Sequence, residues 1–149
     1  MYDVVADVSK YKEFVPWCSG SSVSRLDENF CRCQMEIGFP PLVERYGCDV
    51  TLHKPTLVKS VSTEGRLFKH LVTTWNFSPS TTKIDPSCVL NFSVSFEFRS
   101  LLHSHVSHLF FDEVVRTMVS AFLKRAHRLY GPPSIPASQS KPVVLSYKR

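Results

Sequence analysis

Several signatures of common protein classes are missing from this sequence. No apolar run approaches the roughly 20 residues that a helix needs to cross a bilayer, and Met1 leads straight into patterned sequence without a charged and then apolar leader. The five cysteines are odd in number and irregularly spaced, which argues against a secreted disulfide framework and favours reduced thiols. With 149 residues, 43% of them hydrophobic, the chain can instead form one well-buried domain.

Recognisable catalytic and metal-binding patterns are missing as well. The sequence has neither a Gly-x-Ser-x-Gly elbow nor a Gly-rich phosphate loop. His103, His105 and His108 have no Cys or carboxylate to complete a ligand set, and Cys31 and Cys33 form a lone Cys-x-Cys pair. We expect no catalytic residue, no metal site and no cofactor, and we interpret the two cysteines as small core residues.

The charge balance is mildly basic. Eighteen Lys and Arg residues against 13 Asp and Glu residues give a net charge of +5. This excess favours acidic partners such as anionic lipid or nucleic acid and does not choose between them.

The first 17 residues predict two short helices. Asp7 and Ser9 are the expected caps between the helices, and Pro16 stops the second one. The apolar residues that recur at helical spacing are Val4, Val5, Val8, Tyr11 and Phe14.

From Ser21 the hydrophobic period changes to two, which predicts strands. A turn at 27–29 joins two half-buried strands, because apolar and polar residues alternate from Cys31 to Ile37. Gly38-Phe39-Pro40-Pro41 interrupts the alternation, since prolines lack amide donors, and predicts a stiff loop that exposes Phe39. Further strands are predicted at 42–52, at 57–63, around Leu71, Trp75 and Phe77, and at 90–99.

The clearest signals are the last strand and the helix after it. Residues 90–99 alternate apolar and polar without a break, which is typical of an antiparallel sheet covered on one side. A long amphipathic helix from about Ser104 to Tyr130 supplies the cover, and Gly131 ends it. Residues 1–131 therefore form one domain, and residues 132–149, rich in Ser and Pro, are predicted to be a disordered tail. The expected apolar face of the helix is Val106, Leu109, Phe110, Phe111, Val114, Val115, Met118, Phe122, Ala126 and Leu129.

This order of elements predicts an α+β fold in which a curved antiparallel sheet grips a long C-terminal helix. A twisted sheet cannot follow a straight helix along its whole length, so an apolar cavity is expected between them. The alternative is a packed core with Phe and Met filling that space. Large apolar groups at Val15-Pro16-Trp17 and at Phe39 favour the rim of a lipid or membrane site.

Four strings of residues carry a family resemblance: Asp-Val-Ser-Lys-Tyr-Lys-Glu-Phe-Val-Pro-Trp-Cys (7–18), Glu-Ile-Gly-Phe-Pro-Pro (36–41), Ser-Phe-Glu-Phe-Arg-Ser-Leu-Leu-His (95–103) and Leu-Phe-Phe-Asp-Glu-Val-Val (109–115). In order, from about Tyr2 to Tyr130, the chain resembles the mitochondrial coenzyme Q-binding proteins of the START-like, polyketide cyclase/dehydrase superfamily. The resemblance implies a helix-grip fold.

The resemblance also implies a function. It implies a protein that binds ubiquinone and supports its transport or presentation to respiratory-chain and ubiquinone-biosynthesis complexes, without being an enzyme. Its implied location is peripheral on the matrix side of the mitochondrial inner membrane. Anionic phospholipid is an implied partner, and nucleic acid is not. Relatives of this type carry a presequence and a first strand ahead of the region equivalent to Tyr2, so we expect both to be missing here, which would expose a sheet edge.

Two sets of residues are predicted to form the site. Positions on the concave face, the helix or the rim are expected to contact the ligand: Val15, Trp17, Phe39, Leu42, Trp75, Phe111, Val115, Met118 and Phe122. Rim aromatics and outer helix cations are expected to contact the membrane: Trp17, Phe39, Pro40, Arg116, Lys124 and Arg128. The alternatives are core packing for the first set, and a closed loop or a solvated helix surface for the second.

Two other functions stay open at this point. One is a cyclase or aromatase, since the superfamily includes such enzymes, although the inward positions are nearly all apolar. The other is a protein-interaction scaffold for ribosomal or respiratory partners that uses the aromatic rim as a docking patch.

Overall fold

The structure is a computed structural model. It describes residues 1–39, 42–62, 64–136 and 138–143, and their side chains except those of Phe39, Leu42 and residues 101–110. In chain order the elements are α1 (Tyr2–Ala6), a 3₁₀ helix (Val8–Glu13), β1 (Cys18–Arg25), β2 (Phe30–Phe39), β3 (Leu42–His53), β4 (Leu57–Ser62), β5 (Phe68–Pro79), β6 (Cys88–Phe98) and α2 (Leu101–Tyr130).

The N-terminal segment forms the two predicted short helices. The second is a 3₁₀ helix, and Val4, Val5 and Val8 from the two are buried in the core. Asp7 is the cap residue between the two helices, as predicted, although its side chain makes no capping hydrogen bond. The prediction is wrong for Ser9, which lies inside the 3₁₀ helix. The Asp7 carboxylate accepts a hydrogen bond from the Ser9 hydroxyl at 2.6 Å.

In the described residues, six antiparallel strands form one sheet in the order β1 to β6, so each strand pairs with its neighbours in sequence. The predicted loop at Gly38 and Phe39 is wrong for these two residues, which continue β2 and pair with Val43 and Leu42 of β3. Only the two prolines lack amide donors, so the ladder can run up to them. Pro40, Pro41 and Thr63, the last predicted residue of β4, lie outside the described residues.

The alternation predicted for β6 is confirmed. Its apolar side chains from Leu90 to Phe98 are half-buried, and the polar ones between them are exposed. Helix α2 covers this face and begins three residues earlier than predicted, at Leu101. At ~1.5 Å per residue, its 30 residues span about 45 Å.

Helix α2 ends as predicted at Tyr130. Gly131 has a φ of +90°, and its amide donates to the carbonyl of His127 at 2.9 Å, which closes the last turn. The predicted burial of Leu129 is wrong, because its side chain is 51% exposed.

Two hydrogen bonds join the segment after Gly131 to the domain. The Ser134 hydroxyl donates to the carbonyl of Pro86 at 2.5 Å, and Arg116 Nη1 donates to the carbonyl of Pro142 at 2.7 Å. The disordered tail and the missing first strand both stay predictions.

Candidate functional site

The interior has two unlike ends, and the first is fully packed. Phe122 of α2 is 0% exposed, and its ring lies 5.2 Å from Tyr11, 5.0 Å from Phe14 and 4.6 Å from Trp75. The rings of Tyr11 and Phe14 meet it edge to face, an arrangement that adds to burial itself. We call this region, with the buried side chains of α1, β2, β3 and β4 around it, the packed end.

Several polar groups in the packed end are hydrogen-bonded to one another or to the backbone. The Tyr11 hydroxyl donates to the carbonyl of Val5 at 2.5 Å, and burial raises its pKa well above the usual value. Cys33 and Cys48 face each other across β2 and β3. The hydrogen bond between the two thiols is the main cause that raises the pKa of Cys33, and burial is the second. Tyr11 and Cys33 therefore stay protonated at neutral pH, so these two groups suit packing better than acid–base chemistry.

The second end lies between β5, β6 and the middle of α2. Four half-buried Phe rings meet there: Phe68 and Phe98 stack at 5.0 Å, and Phe96 lies 5.8 Å from Phe68 and 5.9 Å from Phe111. We call Phe68, Phe96, Phe98 and Phe111 the half-buried end. Such a surface can hold an apolar or planar ligand through contacts that need little polar geometry.

The predicted ligand-contact residues divide between these regions. Val15, Trp75 and Phe122 are buried in the packed core, at 8%, 3% and 0% exposure. Four others are half-buried: Trp17, Phe111, Val115 and Met118. The side chains of Phe39 and Leu42 lie outside the described residues, so their contacts stay a prediction.

Three aromatic residues of the half-buried end were not among the predicted contacts. Phe96 and Phe98 lie on the alternating strand that predicted a covered apolar face, so that pattern was the available signal. Phe68 sits at a register shift between Phe68 and His70, where β5 loses its regular pairing with β6. Alternation fails at such an irregularity, which leaves no period-two signal for Phe68.

A cavity of about 600 Å³ lies on the opposite, outer side of α2. We call it the basic groove. Its helix wall contains three of the predicted membrane-contact residues, and its other wall follows the 3₁₀ helix with Glu13, Phe14 and Pro16. The helix residues that line it are Arg116, Thr117, Ser120, Ala121, Lys124, Arg125 and Arg128.

The turn at Trp17, next to Pro16 at the wall of this groove, and the end of β2 at Phe39 together form what we call the apolar corner. Trp17 follows Pro16 and holds a φ of +63°, which is uncommon for a bulky residue and marks local backbone strain. The carbonyl of Trp17 accepts a hydrogen bond from the Gly38 amide at 2.8 Å, so the turn is tied to the end of β2 next to Phe39. The two predicted rim segments therefore lie side by side.

Metal-binding clusters and membrane-spanning helices are both absent from the part of the chain that is described. No group of three or more His, Cys, Asp or Glu side chains is arranged there to hold a metal ion. Within the same residues, no helix combines the length and apolar character that crossing a bilayer requires.

Solved structures define the class of fold. A START superfamily protein from Mycobacterium smegmatis matches with a TM-score of 0.72 and 12% identity, over 86% of this chain and 88% of that one. The Zhui aromatase/cyclase from Streptomyces matches with a TM-score of 0.71 and 12% identity, over 85% and 84%. The chain has the START-like helix-grip fold that the resemblance implied.

The chain matches the polyketide cyclase / dehydrase and lipid transport family over residues 1–123 and belongs to it. It is 50% identical to coenzyme Q-binding protein COQ10 homolog B, mitochondrial, of Xenopus laevis and 51% identical to coenzyme Q-binding protein COQ10, mitochondrial, of Drosophila melanogaster. Each match covers 91% of this chain and 56% of the relative, so the chain spans little more than half their length. The chain is also 30% identical to ribosome association toxin RatA of Pseudomonas aeruginosa, over 88% of both.

Proposed function

We propose that this protein binds coenzyme Q between the half-buried end of the sheet and α2. The observation that carries the proposal is the 50% identity, over nearly the whole described domain, to a relative named as a coenzyme Q-binding protein. The arrangement of the Phe rings supports it, since Phe96 and Phe98 on β6 and Phe111 on α2 offer apolar surface that is already half desolvated.

The chemistry of the ligand suits this region. An isoprenoid tail gains about 0.8 kcal/mol for each buried methylene and needs no exact polar partner. A quinone ring is flat and can stack on an aromatic face such as that of Phe68 or Phe98. The packed end, filled by Trp75 and Phe122, limits how far such a ligand can enter, so the Phe cluster is the favoured region of contact.

We further propose that the protein is a carrier rather than an enzyme. In the described interior the polar groups named above are internally hydrogen-bonded, which supports binding over acid–base catalysis. The cyclase alternative draws on a shared fold and on a family whose description covers both cyclases and lipid transport, and neither establishes a reaction.

The proposed carrier works at a membrane. We propose that Trp17, Phe39 and Pro40 enter the membrane interface and that Arg116, Lys124 and Arg128 meet anionic phospholipid. The mitochondrial names of the relatives support a place on the mitochondrial inner membrane, peripheral on its matrix side. We also propose that the protein delivers coenzyme Q from this membrane to respiratory-chain or ubiquinone-biosynthesis complexes.

Mass spectrometry of organic extracts from the purified protein tests ligand binding. Ubiquinone recovered near one equivalent from wild type, and reduced several-fold in Phe96→Ala, supports the proposal. Ser93→Ala, an exposed position on the same strand, is the matched control and should retain the wild-type amount. Protein that stays free of quinone even after incubation with ubiquinone-loaded vesicles would contradict it.

A second candidate function is a ribosome or protein docking module. The relative that favours it is the ribosome association toxin, which matches over 88% of its own length. Sedimentation with ribosomes separates the two ideas, because a quinone carrier should stay in the supernatant. Ribosome association by protein that holds no quinone would favour the docking module.

A further inference from the structure

The outer face of α2 presents an ordered row of donors. Arg116, Ser120, Lys124 and Arg128 are four residues apart, so they stack on successive turns along about 18 Å of helix. This row is opposite the core face, where Met118 and Phe122 pack. The four side chains of this row are therefore not part of the buried core.

The charge of the groove is strongly positive. Arg116, Lys124, Arg125 and Arg128 against Glu13 leave a net charge of 4 − 1 = +3 among the described lining residues. Glu13 is itself engaged, since its carboxylate lies 2.8 Å from Arg125 and 3.2 Å from Lys10. An incoming anion would meet cations rather than a bare carboxylate.

Arg125 has a structural role at the back of the groove. Its side chain is only 15% exposed, binds Glu13, and sits over the Phe14 ring at 5.2 Å. This contact holds the 3₁₀ helix against α2 and gives the groove a second wall. Lys124 and Arg128 line the cavity with the hydroxyls of Thr117 and Ser120. Arg116 also lines it, while its Nη1 donates to the carbonyl of Pro142 at 2.7 Å.

We propose that the basic groove binds the phosphate group of an anionic phospholipid headgroup as a discrete site. Guanidinium and ammonium groups that flank hydroxyl donors match the oxygens of a phosphate ester. Pro16 on the far wall continues into the apolar corner at Trp17, so the glycerol and acyl parts of the lipid would have an apolar surface beside the phosphate site. This inference rests on the membrane-docking part of the proposed function and replaces a diffuse cationic patch with a shaped site.

A nucleic acid backbone carries the same phosphate chemistry but fits the groove less well. Single-stranded nucleic acid is usually held by bases that stack on aromatic rings. Phe14, the aromatic ring among the described lining residues, has Arg125 over one face and packs edge to face against Phe122. One face of this ring is therefore already occupied by a cation, which favours the lipid over stacked bases.

Flotation with vesicles tests the site. Vesicles of phosphatidylcholine are compared with vesicles that also contain phosphatidylglycerol, using wild type and charge-matched variants. Lys124→Gln should bind the anionic vesicles about fivefold more weakly, as expected for the loss of one charge near the surface. Lys59→Gln, which removes an exposed lysine on β4 away from the groove, should change binding less than twofold.

A groove-filling variant separates a shaped site from a diffuse patch. Ser120→Leu leaves every charge in place but fills the middle of the groove, so it should weaken binding at least as much as Lys124→Gln. Glycerol 3-phosphate, a soluble headgroup analogue, should shift the amide NMR signals of residues 117–128 in wild type and not in Ser120→Leu. A thermal melt of each variant excludes unfolding as the cause.

The outcomes decide the proposal. Equal losses in Lys124→Gln and Lys59→Gln, or wild-type binding by Ser120→Leu, would overturn it in favour of diffuse attraction. Tighter binding of an RNA oligonucleotide than of anionic vesicles, lost in Ser120→Leu, would overturn it in favour of nucleic acid. Quinone recovery is scored separately: wild type without ubiquinone but with intact vesicle binding would reject the quinone proposal and keep the headgroup site.

Discussion

The packed end and the half-buried end are built from the same residue types on the same face of one sheet, yet only one is closed. Around Phe122 the core receives side chains from α1, the 3₁₀ helix, the sheet and α2. Around Phe96 the described rings come from β5, β6 and α2 alone. Aromatic residues are dehydrated fully only where a third layer of chain covers them, so the N-terminal helices decide which end is core.

This difference assigns separate roles to similar side chains. A fully buried ring contributes its free energy to folding, whereas a half-buried ring keeps part of its apolar surface for a ligand. Substitutions at the two ends should therefore separate stability from binding.

The largest expected effect is on stability at the packed end. Phe122→Ala removes the ring that touches Tyr11, Phe14 and Trp75 and should lower the free energy of unfolding by about 3–5 kcal/mol. Urea denaturation measures the loss. Phe96→Ala at the other end should cost about half as much, because its ring is already partly exposed. Equal losses would mean that the two ends are packed alike.

The second effect concerns ligand retention at the half-buried end. Phe98→Ala removes one partner of the stacked pair with Phe68 and should reduce the affinity for ubiquinone about tenfold, as the loss of about 1.4 kcal/mol of apolar contact predicts. Fluorescence titration with a short-chain quinone measures it. Val58→Ala is the control, because Val58 is buried at the packed end. This variant should lower the free energy of unfolding and leave the affinity for the quinone unchanged. A loss of affinity in Val58→Ala would place the ligand deeper than we propose.

Periodicity predicts which face of an element is covered, but not how tightly. The alternation of β6 and the apolar face of α2 could be predicted from the sequence, because each element has one buried face and one exposed face. The same pattern could not separate Trp75 and Phe122, which became core, from Phe96. That distinction depends on where the N-terminal helices lie, which is tertiary information.

The outer surface shows the same limit. The helical cations Arg116, Lys124 and Arg128 could be predicted as one charged face, because they recur at helical spacing. The partner that turns this face into a groove could not, since Arg125 binds Glu13 at a separation of 112 residues along the chain. Long-range pairs of this kind leave no local pattern in a single sequence.

A smaller effect is expected at the C-terminal end of α2. Gly131→Ala should lower the free energy of unfolding by about 1 kcal/mol, because a Cβ is strained at a φ of +90°. A Cβ at this position would have no heavy atom within 4 Å, so the cost is conformational and not steric. Thermal unfolding measures it, and Gly131→Asn, which tolerates positive φ better, should recover part of the loss. Equal destabilisation by the two variants would point to a different role for this glycine.

The smallest effect compares one carboxylate near each end. The hydrogen bonds from Lys10 and Arg125 hold the pKa of Glu13 below its usual value of 4.5, and the hydrogen bond from Lys69 does the same for Glu97. Because the folded state lowers both pKa values, these pairs stabilise the fold above pH 4.5, and their contribution is lost as the pH falls through the folded-state pKa. Carboxyl NMR titration should therefore give both groups midpoints below 4.5. The shift should shrink in high salt because both groups are exposed, and Arg125→Gln should raise the midpoint of Glu13 while leaving that of Glu97 unchanged. A Glu13 that titrates at 4.5 would mean that the ion pair does not hold the 3₁₀ helix against α2, and it would remove the second wall of the basic groove.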